Sequence, residues 1–136
     1  MSESPIHNSY VRKIYNYAKK HISNESLCFL KADILECDKP TLTYNSFVPD
    51  VSYLYNNLMI IGEAKTYDDF NTEHSLKQYQ AYFKELSNFA GIGYFIACVP
   101  WQITITAKNH FARLKKESGK DIKVIILTDD SSEIVL

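Results

Sequence analysis

The spacing of apolar residues changes period along the chain, and each change marks an element. Over residues 4–22, Tyr10, Val11, Ile14, Tyr17, Ala18 and His21 recur at intervals of three and four, which predicts a helix with one buried face. Ser4 is placed to cap it and Pro5 suits its first turn. Asn24 opens a turn, and the apolar stretch Leu27 to Leu35 then predicts a first strand, central or nearly so, with Cys28 as a small core hydrophobe. Asp38 to Thr41 reads as a turn and Leu42 to Phe47 as a loop or short extended piece. Val51, Tyr53 and Tyr55 alternate with more polar neighbours, Asn56 and Asn57 tolerate the positive φ of a tight turn, and Leu58 to Ile61 is an apolar run rich in strand formers. That pattern predicts an antiparallel hairpin.

Beyond the hairpin, Tyr67 to His74 is a polar loop, and Asn71 or Thr72 can start a helix from about Glu73 to Phe89. Leu76, Tyr79, Phe83, Leu86 and Ala90 form its apolar stripe, with His74, Gln78 and Tyr82 on a neighbouring stripe at successive fours. Gly91 and Gly93 end the helix, and Tyr94 to Val99 suits a buried strand parallel to the hairpin's second strand. Trp101, Ile103 and Ile105 alternate in a further extended piece, Thr106 begins a helix to about Ser118, and Ile122 to Thr128 is a last strand. Asp129 to Glu133 is an acidic tail with no evident part in the fold. The sum is one α/β domain over residues 1–136, a mixed central β-sheet flanked by helices.

Composition narrows the classes. With 46% apolar residues the chain suits a single core. Net charge is −1, so there is no global basic field, and any nucleic-acid contact rests on local patches. Cys28, Cys37 and Cys98 are odd in number and lack a Cys-x-x-Cys spacing, which argues against a disulfide framework or zinc site and for a reducing, cytoplasmic home. No stretch is apolar enough for a membrane span. No glycine-rich phosphate loop and no cysteine in a nucleophile setting is visible.

Candidate chemistry concentrates on the hairpin. The strand period of two puts Glu63 and Lys65 on one face with Ala64 pointing away, and folding at Asn56-Asn57 brings Asp50 towards the strand end that carries Glu63. Pro49 fixes where the first strand begins and so how Asp50 is aimed. Two close carboxylates beside an apolar run repel unless something neutralises them. A hard divalent cation does so: Mg²⁺ accepts one or two carboxylates and completes its shell with water and substrate phosphate. Lys65 is then placed to stabilise phosphate charge or orient the attacking water.

Pro49-Asp50, the Glu63-Ala64-Lys65 strand and the following Gln78-x-x-x-Tyr82 together resemble the signature of the PD-(D/E)XK nuclease superfamily, in its RecB-like and Cas4-like branch, over roughly residues 47–86. The resemblance implies a restriction-endonuclease-like core and a metal-dependent deoxyribonuclease using Mg²⁺, with Mn²⁺ as substitute. It implies Asp50, Glu63 and the main-chain carbonyl of Ala64 as metal ligands, Lys65 as catalytic, and Gln78 and Tyr82 as shaping the active site or gripping DNA. In that family the first helix often supplies another acid; here Glu3 lies just before it, and His7, on its inner edge, reads as a helix-end histidine satisfied by hydrogen bonds, with a metal-ligand role as the alternative. Lys77 and Lys84 are candidate phosphate contacts, as is the basic segment with Arg113, Lys115 and Lys116, which reads equally well as a charged, solvated helix face. A nuclease this small leaves room for a homodimer or a larger nuclease complex. The alternative is a catalytically inactive nuclease-fold subunit that binds DNA or a partner protein.

Overall fold

The computed structural model describes residues 4–136. Its elements run α1 (Pro5–Lys19), β1 (Lys31–Ala32), β2 (Val51–Tyr55), β3 (Leu58–Ala64), α2 (Glu73–Asn88), β4 (Ile92–Val99), α3 (Thr104–Ser118), β5 (Lys123–Thr128) and β6 (Glu133–Val135). The six strands lie in one sheet in sequence order. β1, β2 and β3 pair antiparallel, β3, β4 and β5 run parallel, and β6 returns antiparallel along β5. This is an α/β fold with a mixed sheet flanked by helices.

Local chemistry explains the boundaries that matter for the site. The Ser4 hydroxyl accepts from the His7 amide at 3.1 Å and Pro5 occupies the first turn, so α1 starts at a fixed place and His7 points from it. Asn56 adopts φ 53° between β2 and β3, and the hairpin register pairs Tyr55 with Leu58 and Val51 with Gly62. Thr72 caps α2 by accepting from the Ser75 amide at 3.1 Å.

Alternation along the strands sorts the core into two layers. Ile60, Ala64, Val51, Ile96 and Cys98 pack under α1, whose Tyr10, Val11, Ile14 and Ala18 face them. Met59, Ile61, Phe95, Ala97 and Ile126 face α2 and α3, with Tyr79, Tyr82, Phe83 and Phe111 filling the space between. Glu63 and Lys65 continue this second face. Gly62 is where α1 approaches most closely: a Cβ there would stand 2.6 Å from Ile14 Cγ2 and 3.0 Å from Val51 Cβ.

Three expectations need correction. The stretch read as a central first strand is a 3-10 helix, Asn24–Phe29, followed by the two-residue edge strand β1, and Cys28 is exposed. Ser26 bonds back to the Ser23 carbonyl through both its amide and its hydroxyl, a local alternative to strand pairing. The piece read as extended at 101–105 is a 3-10 turn, Trp101–Ile103, running into α3, which begins at Thr104 with its hydroxyl on the Trp101 carbonyl. The acidic tail has a structural role: Thr128, Asp130 and Ser132 bond one another to turn the chain into β6, and Asp129 accepts from the Trp101 amide and the Tyr10 hydroxyl. Among the described residues no helix is long and apolar enough to cross a membrane.

Candidate active site

Asp50, Glu63, Lys65 and Gln78 meet at the carboxyl end of β3, next to the ends of its parallel neighbours β4 and β5. Ligand sites of open parallel sheets are commonly found at such strand ends. The Asp50 carboxylate accepts from the Ala64 amide at 2.9 Å and lies 3.3 Å from His7 Nε2, so it ties the start of β2 to the end of β3 and to α1. The Glu63 carboxyl is hydrogen-bonded to Asp50 and accepts from the Tyr82 hydroxyl at 2.8 Å. Lys65 donates to the side-chain oxygen of Gln78 and lies 5.9 Å from the centre of the Tyr79 ring. Glu63 is only 4% exposed and Lys65 8%.

Electrostatics divides the two carboxyls. Burial, then the adjacent Asp50 charge and the hydrogen bond to it, push Glu63 well above the usual carboxylate range, against the lowering effect of Lys65 and Tyr82. Burial would also raise Asp50, but hydrogen bonds from Glu63, His7 and the Ala64 amide outweigh it and hold Asp50 below its ordinary value. The pair therefore shares one proton, kept on the Glu63 side. Burial first, then the Glu63 charge and hydrogen bond, drive the Tyr82 hydroxyl far up, so it serves as a neutral donor.

The other predicted residues fall in different places. Tyr82 is fully buried with its hydroxyl on Glu63, so it orients that carboxyl and offers no surface to a strand. Lys77 is exposed on the same helix and pairs with Glu73 at 3.2 Å. Arg113, Lys115 and Lys116 lie in the last turns of α3, which runs back from the site; Lys115 bonds the Leu136 carbonyl and stands 3.8 Å from Asp121, just before β5. They sit at the opposite end of the parallel strands from Asp50 and Glu63, and Lys115 is engaged in holding the carboxyl terminus. Glu3 lies outside the described residues. Among the described residues no group of three or more His, Cys, Asp or Glu side chains is arranged as a metal cluster.

One part of the site was missed from sequence. The Tyr44–Phe47 turn, whose ends exchange backbone hydrogen bonds at 2.8 and 3.0 Å, packs Tyr44 and Phe47 edge-on to Tyr82 at 6.3 and 6.5 Å. The signal available was the pair Asn45-Ser46, which takes φ of 53° and 72° between two aromatic residues. No protein-family model and no curated protein matches the chain.

Proposed function

We propose that the chain is a divalent-metal-dependent nuclease of the PD-(D/E)XK kind, built on a restriction-endonuclease-like core and hydrolysing phosphodiester bonds in DNA. The observation that carries this reading is the buried contact between the Asp50 and Glu63 carboxyls at the end of β3, with Lys65 on the same face. The order of α1, the β1–β3 meander, the α2 crossover and the parallel β4 supports it, since it brings the three motif positions together.

Two carboxyls that repel unless a proton or cation lies between them match the hard oxygen donors Mg²⁺ prefers, one or two carboxylates at a time. Asp50, Glu63 and the main-chain carbonyl of Ala64 would hold it, and when bound it supplies Lewis-acid polarisation of the phosphoryl group and a more acidic water. The Ala64 amide and His7 keep Asp50 ionised and aimed. Tyr82 fixes the rotamer of Glu63 without adding charge. Gln78 holds the Lys65 ammonium in place, where it stabilises charge developing on the phosphate or orients the water.

The low exposure of Glu63 and Lys65 favours a second reading, a nuclease-fold subunit that binds DNA or a partner protein without cutting. Incubation of linear and circular DNA with Mg²⁺ or Mn²⁺ separates the two. The nuclease reading expects metal-dependent cleavage that falls at least about a hundredfold in Glu63→Ala, the order of effect of losing a metal-centre group. Cleavage unchanged by that substitution, or absent with both metals, rejects it.

A further inference from the structure

We propose that the groove between the Tyr44–Phe47 turn and the outer face of α2 carries the sugar-phosphate backbone of one polynucleotide strand to the carboxyl pair. The groove encloses about 420 Å³ and is lined by Asn45, Phe47, Lys77, Gln80, Lys84 and Glu85, among others. This deepens the nuclease reading and rests on it for the fate of the strand, though not for its binding.

Two observations converge on this groove. Phe47, in its wall, packs against Tyr82, whose hydroxyl bonds Glu63, so the groove adjoins the site through one side chain. Lys77 and Lys84 are seven residues apart on α2, two helical turns on one face, or about 10.5 Å along the axis. Lys84 makes no ion pair among the described residues, and the Lys77–Glu73 pair is exposed, so it yields readily to a phosphate.

A phosphate oxygen accepts from the Asn45 and Gln80 amides and from both lysines. Glu85, next to Lys84 in the lining, opposes an anion at that end of the groove. An acidic peptide would meet the same lysines, and the test separates it.

The test measures fluorescence anisotropy of a labelled oligonucleotide, as single strand and as duplex, over a salt series. The protein is the full chain carrying Glu63→Gln, to prevent cleavage. Exchanging both Lys77 and Lys84 for Gln should weaken binding about tenfold or more and flatten the log–log salt dependence by about 1.4 for a single strand, ~0.7 for each phosphate no longer neutralised. Lys19→Gln, on α1, serves as the control. Binding unaffected by the double lysine change overturns the proposal. So does no oligonucleotide binding by the parent, or displacement of the oligonucleotide by poly-glutamate at lower concentration than by unlabelled DNA. If wild type cleaves DNA through Glu63 while the double lysine variant binds normally, only the groove falls. If that variant loses binding and wild type never cleaves, only hydrolysis falls.

Discussion

A carboxyl with almost no exposed surface, set against a second carboxyl, keeps its proton to higher pH than a free glutamate, and this has a sign that can be measured. From its ordinary value of 4.5 up to its raised folded value, folded Glu63 holds a proton that the unfolded chain has released. Stability therefore falls as pH rises through that window. Asp50 works the other way: its folded value is below 3.8, so its contribution is present above that pH and lost as pH falls through it. The melting temperature should peak in weak acid and decline towards neutrality, and Glu63→Gln should remove most of the decline. Thermal unfolding followed from about pH 4 to about pH 8 checks this; parallel curves for the two proteins would contradict the shared proton. The convergence of residues 50, 63 and 65 was legible because the hairpin register follows from strand period and turn type alone. The burial of Gln78 and Tyr82 was not, since an amide and a phenol on a helix read the same exposed or buried until the helix is docked.

At the scale of elements, packing of α1 on the sheet sets how Asp50 meets β3, and Gly62 is where that packing is tightest. Gly62→Ala would push a methyl group into Ile14 and Val51, both without exposed surface, and should cost about 1–3 kcal/mol, as overpacking does. Urea unfolding measures it, and a midpoint equal to wild type would show that α1 is not held as described. Elements with a sustained period, α1, the hairpin, α2, β4 and β5, could be read from the chain. The misread pieces have specific causes. Residues 27–35 are apolar without being buried throughout: Phe29 is exposed and Leu35 is 98% exposed, so their apolar character carried no strand signal. Trp101, Ile103 and Ile105 mimic a strand's alternation, yet only Ile103 is buried, and the helix starts at Thr104. β6 forms because side-chain bonds among Thr128, Asp130 and Ser132 turn a polar segment back on β5, which no apolar pattern foretells.

For the whole molecule, sheet order follows sequence order, and the parallel β3–β4–β5 unit gathers the charged groups of β3 at one end while the basic last turns of α3 lie at the other. A net charge of −1 conceals that arrangement, because it sums over both ends. Lys77 and Lys84 line the groove along α2, whereas Lys115 bonds the Leu136 carbonyl. The central claim is that Asp50 and Glu63 form one cation-holding site. Diffraction from a crystal soaked in Mn²⁺, recorded where manganese scatters anomalously, tests it most directly. The account predicts a peak between the two carboxyls, about 2.1 Å from an oxygen of each, with the proton between them displaced. A crystal in which Mn²⁺ is bound elsewhere, or not at all, while Asp50 and Glu63 remain bonded to each other, would contradict it.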